Sequence, residues 1–322
     1  MAEREFRITP QGPFAWTSSL NMLGSWQPVA HFPRRDGVAT VAFGLDGSFA
    51  PAGVRLRVDG DALVGQVSDG ADIDAAKGQV ARMFSLDVDA TEYPLVGRRD
   101  PAVGRIMRAH PGLRPVLFPS PYEAAVWAVI SQRIAQRQAA HVKTALSEAL
   151  GDLVKVGGEA VRTLPPPRAL LRIGATPGLT VEKIERLHAV ARAALDGVLA
   201  AERLRAMGYD AALRMVQEIR GIGPFWSSGI YLRACGVTEP FPMDEPRTLR
   251  ALADAHGLKD VPTGADLDRI AARFKPFGMW VSVLLRVAAN RGTMGEREVS
   301  PAPRVRHARL SPTRLPGRER HP

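Results

Sequence analysis

Two glycines one residue apart, Gly221 and Gly223, are the feature that most constrains how this chain can fold. They stand in the segment Gly221-Ile222-Gly223-Pro224, between two stretches whose apolar spacing predicts helices. Glycine adopts positive φ and lets backbone approach a ligand closely, and Pro224 suits the first turn of a new helix. We therefore expect a tight hairpin between two helices. Its glycine amides, together with the start of the second helix, can face an anion such as a DNA phosphate.

A second group of chemically active residues follows the hairpin helix. A turn bracketed by prolines carries two adjacent carboxylates, Asp244 and Glu245, before another helical stretch. A carboxylate at a helix N-terminus stays ionised because the helix dipole favours negative charge there. The alternative role for both residues is to cap that helix. A phosphate-binding hairpin followed by carboxylates indicates chemistry on nucleic acid.

Composition agrees with a polyanionic partner. The formal net charge is +10, and only six of the 43 basic residues are lysine. Arginine suits bidentate phosphate contacts, although abundant alanine, arginine and glycine also fit a genomic bias. The single cysteine, Cys235, excludes a disulfide framework and fits a reducing compartment. We expect a cytoplasmic protein without a membrane segment, since no apolar run approaches the length of a span and the N-terminus lacks a signal-peptide core.

The chain divides into three predicted parts. Residues 1–95 have the alternation and Gly-Asp turns of a small α+β domain, residues 100–292 are helical, and residues 293–322 form a disordered basic tail. The fold class is therefore mainly α with a small α+β domain in front. A bridge rich in Pro, Gly and Arg (Pro94 to Gly104) separates the first two parts, and Gly151–Pro167 is expected to be a loop. The expected strands and helices are Glu5–Ile8, Val38–Phe43, Val54–Val58, Ala62–Val67, and Pro13–Leu23, Asp72–Phe84, Pro121–Ile130, Arg137–Leu150, Pro167–Ile173, Val181–Asp196, Tyr209–Ile219, Leu267–Phe274 and Met279–Ala289.

Three polar side chains in the helical part are candidates for contacts with DNA. Gln132 and Arg133 interrupt an apolar run at a helix junction, so they either project into DNA or lie on a solvated corner. Lys183 follows a Gly-Leu-Thr turn, where it either contacts phosphate or lies on the solvated surface.

With these pieces in order, the chain resembles the helix-hairpin-helix DNA glycosylase superfamily, specifically the 3-methyladenine DNA glycosylase II family. The resemblance spans roughly residues 100–290, and the N-terminal unit is similar to that family's small TATA-binding-protein-like domain. The matching segments are His110-Pro111-Gly112-Leu113-Arg114-Pro115, Pro121–Ala140, Gly178-Leu179 with Lys183, Gly221-Ile222-Gly223-Pro224, Phe241-Pro242 and Arg273-Phe274-Lys275-Pro276-Phe277.

The resemblance implies a function for most of these positions. The enzyme flips a damaged base out of the duplex and plugs the gap with the turn that holds Gln132 and Arg133. The hairpin grips phosphate, often with a monovalent cation on its carbonyls, and no other cofactor or metal is expected. A carboxylate stabilises the cationic sugar or activates water. Counting from Phe241 places Glu245 at the family's position, whereas residue type favours Asp244, so both remain candidates.

Departures from the family pattern refine the prediction. Phe225 stands where strand-cleaving relatives have a nucleophilic lysine, so a hydrolase without lyase activity is expected. Phe225 can stack on the flipped base or simply pack, and Trp280 is a second candidate for the base pocket, with packing as its alternative role. Other pocket aromatics of the family are replaced by Gly229, Pro246 and Arg286.

The resulting prediction is a monofunctional DNA N-glycosylase of base-excision repair. It is expected to act as a monomer on double-stranded DNA containing damaged bases, with alkylated purines as the expected substrates. The alternative is a non-catalytic helix-hairpin-helix protein that binds damaged DNA. A regulatory fusion is a weaker alternative, because the chain has no zinc-binding cysteine cluster or second DNA-reading domain.

Overall fold

The N-terminal part of the molecule is built on a five-stranded antiparallel sheet. The computed structural model describes residues 4–294 of the chain, so the predicted tail lies almost wholly outside the described residues. The strands follow the order β1-β5-β4-β3-β2, so β1 and β2 form the two edges of the sheet. Their bounds are β1 (Glu5–Ile8), β2 (Arg34–Arg35), β3 (Val38–Gly44), β4 (Pro51–Asp59) and β5 (Ala62–Val67).

Two helices accompany this sheet. The first, α1 (Trp16–Ser25), begins three residues later than predicted, after Ala15 as N-cap. The second, α2 (Ile73–Met83), has Asp72 as N-cap, whose carboxylate accepts hydrogen bonds from the first-turn amides of Asp74 and Ala75.

The described residues after the sheet and its two helices are mainly helical, as predicted, apart from one hairpin. None of the helices between residues 4 and 294 is both long and apolar enough to span a bilayer. The helices are α3 (Tyr93–Arg99), α4 (Pro101–Ala109), α5 (Pro121–Ile130), α6 (Gln136–Leu150), α7 (Pro167–Leu170), α8 (Val181–Leu195), α9 (Ala201–Met207), α10 (Tyr209–Gln217), α11 (Pro224–Ala234), α12 (Pro246–His256), α13 (Gly264–Ala272) and α14 (Gly278–Arg291).

The predicted bridge between the two domains is itself helical. Pro94 and Pro101 occupy the first turns of α3 and α4, where proline loses no helical hydrogen bond. Asp100 ends α3 and caps α4 through the amide of Val103 at 3.1 Å. One continuous set of buried apolar residues runs through the sheet and the helices. The division into domains near residues 95–100 stays a prediction.

The predicted loop at 151–167 is wrong, because it contains a β-hairpin. Strands β6 (Leu153–Val156) and β7 (Glu159–Arg162) pair with each other and pack against β4 and β3. Gly53 leaves the room for this packing, since a Cβ atom there would lie 2.7 Å from Val154. Helix α9 (Ala201–Met207) was also not predicted.

Candidate functional site

The glycine segment forms the predicted hairpin between α10 and α11. Gly221 has φ +95°, and a Cβ atom there would lie 2.5 Å from Cδ of Arg186. Gly223 is the N-cap of α11, exposed and extended, and no side chain caps the helix. The first amides of a helix have no partner within it, so this end presents donors and the positive end of the helix dipole. The arrangement suits a bound anion.

The junction after α5 lies directly beside the hairpin. Arg133 is exposed and has φ +57°, an uncommon conformation for a residue with a side chain. Gln132 does not project; its Nε2 donates to the carbonyl of Gly221 at 2.7 Å, and its Oε1 accepts from Arg186 at 2.5 Å. Gln132 therefore ties the junction to the hairpin, whereas Arg133 extends from it.

Lys183 has neither of its predicted roles. Its side chain is buried, and Nζ donates to the carbonyl of Ile130, the last residue of α5, at 2.7 Å. Burial, with a smaller effect of Arg186, lowers the pKa of this ammonium. The assignment to phosphate is wrong because the end of a buried helix needs a donor for its free carbonyl, and Lys183 provides it.

The two adjacent carboxylates differ sharply in their surroundings. Glu245 is the N-cap of α12 and accepts from the amides of Arg247 at 3.3 Å and Thr248 at 2.6 Å. Both its oxygens also accept from Nη1 of Arg286, at 3.0 and 3.1 Å. Asp244 is exposed and has no hydrogen bond or ion pair to another of residues 4–294. One carboxylate is fixed, and the other is free.

Both carboxylates line a cavity of about 550 Å³, a volume typical of ligand sites. Phe225 is 49% exposed at this cavity and meets Trp226 edge to face, with ring centroids 5.4 Å apart. Its placement agrees with a role in contacting a base. The aromatic residues of the lining are Trp26, Phe118, Trp127, Phe225 and Trp226.

Trp280 is not part of this cavity, so its assignment to the base pocket is wrong. The ring is fully buried and packs against Tyr93 and Phe277, with centroids 5.1 and 5.2 Å away. Helix α14 presents Met279, Val283 and Arg286 to the cavity, at the i, i+4, i+7 spacing of one helix face. Trp280 is one residue out of phase with that face.

Comparison with known proteins identifies this architecture, although no family model matches the chain. A curated relative, the DNA-3-methyladenine glycosylase of Bacillus subtilis (strain 168), is 27% identical over 206 residues, which cover 63% of this chain and 68% of the relative. The solved 3-methyladenine DNA-glycosylase from Archaeoglobus fulgidus superposes with a TM-score of 0.74 at 20% identity, covering 88% of this chain and 98% of that one. The chain has the fold of the helix-hairpin-helix DNA glycosylases, and its sequence is similar to that of a 3-methyladenine glycosylase.

A DNA complex is among the similar glycosylase structures. The Clostridium acetobutylicum 8-oxoguanine glycosylase/lyase, solved with double-stranded DNA containing cytosine opposite 8-oxoG, has a TM-score of 0.61 and 16% identity. The match covers 81% of this chain and 88% of that chain. At such identity the likeness shows a shared fold, and it agrees with the helix-hairpin-helix geometry around Gly221.

Compared with the pocket expected for the 3-methyladenine glycosylases, this cavity is rich in arginine. Arg233 was not anticipated: its guanidinium lies 4.3 Å over the ring of Trp26, and Nη2 donates to the carbonyl of Val116 at 3.0 Å. Burial, then Arg286, lowers the pKa of Arg233 to about 10, so it stays charged at neutral pH. The sequence signal was its place four residues after Gly229, on the face of α11 that lines the cavity.

A structural cation at the hairpin around Gly221 stays a prediction. The carbonyl of Gly221 accepts one hydrogen bond, from Gln132, which leaves it one further lone pair. Within residues 4–294, His, Cys, Asp and Glu side chains do not gather into a group that could hold a metal ion.

Proposed function

We propose that this protein is a DNA N-glycosylase that flips damaged bases out of duplex DNA and hydrolyses their bond to the sugar. The proposal rests on one observation, which is that the cavity holding the carboxylates adjoins a second concave surface. A groove of about 480 Å³, lined by the junction residues Gln132 and Arg133, adjoins the carboxylate cavity. Phe225, Trp226 and Arg247 line both. A base leaving a duplex held over the groove would pass these residues into the cavity.

The hairpin and the junction have separate tasks in this proposal. The first-turn amides of α11 hold a backbone phosphate, and the exposed Gly223 lets that phosphate approach closely. Arg133 enters the duplex and fills the space that the base leaves. Such a left-handed residue costs free energy, which is a common feature of functional turns. Acting on DNA, the protein is expected to be found with chromosomal DNA.

The carboxylate chemistry is assigned first to Asp244. When the bond between C1′ and the base nitrogen breaks, its electron pair stays with the base and positive charge builds on the sugar. A carboxylate whose charge is not already paired stabilises that charge best, and Asp244 is unpaired among the described residues. Water then bonds to C1′ and gives up a proton. An uncharged base takes up a proton as it departs, whereas a base made cationic by N-alkylation departs neutral and the proton from water goes to solvent.

Glu245 is the second candidate because it occupies the N-terminal position of α12, where the helix dipole favours negative charge. Its bond to Arg286 already offsets its charge, so we assign it the role of holding the turn and Asp244 in place. Phe225 in place of a lysine supports hydrolysis without strand cleavage, since no amine is present there to form a Schiff base.

The test is base release from duplex oligonucleotides that contain one damaged purine, with alkali afterwards to reveal abasic sites. The relatives are named for 3-methyladenine and 8-oxoguanine, so alkylated and oxidised purines are both included. Asp244→Asn should slow release about 10²–10³-fold without loss of stability, the range for removing one stabilising group.

Glu245→Gln, measured beside it, should lower the melting temperature because the cap of α12 weakens. Unchanged release by Asp244→Asn with loss in Glu245→Gln would move the catalytic role to Glu245. Binding of damaged duplex without release of any base would show a non-catalytic binding protein instead.

A further inference from the structure

The cavity for the base contains two guanidinium groups that have no direct part in the reaction described above. Arg233 and Arg286 both line it, and the charge of Arg286 contributes to the lowered pKa of Arg233. With Arg247 at the same lining, three arginines face two carboxylates. A base that carries a positive charge would therefore enter a space that is already positive.

The aromatic surface of the cavity is also partly taken. A cationic base would gain most from lying on an electron-rich indole face. The guanidinium of Arg233 already lies 4.3 Å over the ring of Trp26. That face is not open to a second cation.

Arg286 retains donors for a ligand. It uses Nη1 alone for both oxygens of Glu245, and its Nε and Nη2 have no hydrogen-bond partner among residues 4–294. Its side chain is 28% exposed, so these donors are within reach of a bound molecule. Guanidinium nitrogens are donors only, so their ligand must present acceptor atoms such as carbonyl oxygens.

The charge of the leaving base decides what such a donor can do. An uncharged base departs with the electron pair of the broken bond and becomes anionic until it takes up a proton. A base made cationic by N-alkylation departs neutral. A guanidinium beside the base therefore stabilises the transition state of the first reaction and gives no such help to the second.

We propose that Arg286 stabilises the departing base and thereby selects uncharged damaged purines that carry a carbonyl oxygen over purines made cationic by N-alkylation. The proposal rests on the glycosylase function proposed above. It narrows the expected alkylated-purine substrates to those without a positive charge and extends the substrates to oxidised or deaminated purines.

The experiment compares two 6-oxopurines in the same duplex under single-turnover conditions: hypoxanthine, which is uncharged, and 7-methylguanine, which is cationic. Each rate is divided by the spontaneous rate of loss of that base, because the bond between the sugar and a cationic base is weaker even without the enzyme. For the wild type we expect the rate enhancement to be at least about tenfold greater for hypoxanthine than for 7-methylguanine. A tenfold ratio corresponds to about 1.4 kcal/mol, which is the size expected of a screened charge contact.

Three variants separate charge from position. Arg286→Gln should lower the enhancement for hypoxanthine more than that for 7-methylguanine, so that their ratio falls about tenfold. Arg286→Lys should keep part of the preference because the charge remains. Arg250→Gln is the matched control on α12; Arg250 is exposed, pairs with Asp254 and does not line the cavity, so both rates should stay unchanged.

Several outcomes would overturn the proposal. An equal or greater enhancement for 7-methylguanine in the wild type would do so without any variant, even if Arg286→Gln fails to fold. An equal loss on both substrates in Arg286→Gln would show that Arg286 acts only by holding Glu245. Release of no damaged base by the wild type would overturn the glycosylase function itself, which is a different result from a reversed preference.

Discussion

The two hairpin glycines give a matched pair of substitutions, because the structure assigns them different physical roles. Gly221 has φ +95°, and a Cβ atom there would lie 3.2 Å or less from the Cβ, Cγ and Cδ atoms of Arg186. Gly223 is extended, and a Cβ atom there would meet no atom within 4 Å. Alanine at the first position should therefore disturb the fold, whereas alanine at the second should disturb only an approaching ligand.

The magnitude for Gly221→Ala has three parts. A left-handed residue with a side chain costs about 1–2 kcal/mol. Displacing Arg186 loses its bond to Gln132, worth about 1 kcal/mol. Alanine also restricts the unfolded chain more than glycine does, which offsets about 0.4–1 kcal/mol of this loss of stability. The free energy of unfolding should fall by about 1–3 kcal/mol, which is a drop of roughly 2–10 °C in melting temperature for a chain of this size.

For Gly223→Ala the same reasoning gives little change in stability. Alanine is a poorer N-cap than glycine by less than about 1 kcal/mol, and the stiffer unfolded chain offsets this. Its effect should appear in DNA binding, since the added methyl group stands where the phosphate approaches. Urea unfolding gives the stability of both variants, and a titration with duplex DNA at several salt concentrations gives their affinities.

Either of two results would refute this reasoning. Wild-type stability of Gly221→Ala would mean that the hairpin does not need a left-handed residue at this position. Wild-type DNA affinity of Gly223→Ala would mean that no phosphate approaches the start of α11. Loss of stability in Gly223→Ala equal to that in Gly221→Ala would contradict both assignments.

Three further predictions follow from buried or strained side chains. Lys183→Met should lower the free energy of unfolding by about 1–3 kcal/mol, since the Ile130 carbonyl loses its donor; a salt titration should keep its slope, because this ammonium does not reach phosphate. Arg133→Gly should raise the free energy of unfolding by up to about 1 kcal/mol through relief of the left-handed residue, while base release slows. The hydrogen bond to Asp100 raises the pKa of His256. Protonated His256 therefore stabilises the fold fully below about pH 6.5, and this stabilisation is lost as pH rises through the raised pKa. Melting curves should show that the stability advantage of the wild type over His256→Asn shrinks across that range.

Sequence reasoning located the features that depend on local backbone chemistry. The hairpin was predictable because Gly221 has positive φ and Pro224 starts a helix, and both residues lie within one four-residue segment. The start of α5 was predictable for the same reason, with Ser120 accepting from the amide of Glu123 at 3.1 Å. The proximity of the carboxylates to the hairpin came from the resemblance to a known family.

The failures have a common physical cause, which is that a side chain's role depends on which neighbour faces it. Lys183 has the spacing of a surface residue, but the free carbonyl it meets belongs to a helix more than fifty residues earlier. Trp280 is only one residue from the cavity face of α14, and one residue turns a side chain by about 100° around a helix. The hairpin at 153–162 depends on packing against β3 and β4, which no local pattern shows.

Not all of the arginines can support DNA binding, because some of them are buried. Arg114 is fully buried and donates to the carbonyls of Pro13 and Ser85, each at 2.9 Å. Arg233 is enclosed in the base cavity. Neither arginine can release counterions from DNA, so the net charge of the protein overstates the number of positive groups that contact phosphate. The salt dependence of binding should instead reflect exposed groups beside the hairpin, above all Arg133 and Arg247. In the function proposed here, the interior arginines act on the fold and on a base that has left the duplex, not on the DNA backbone.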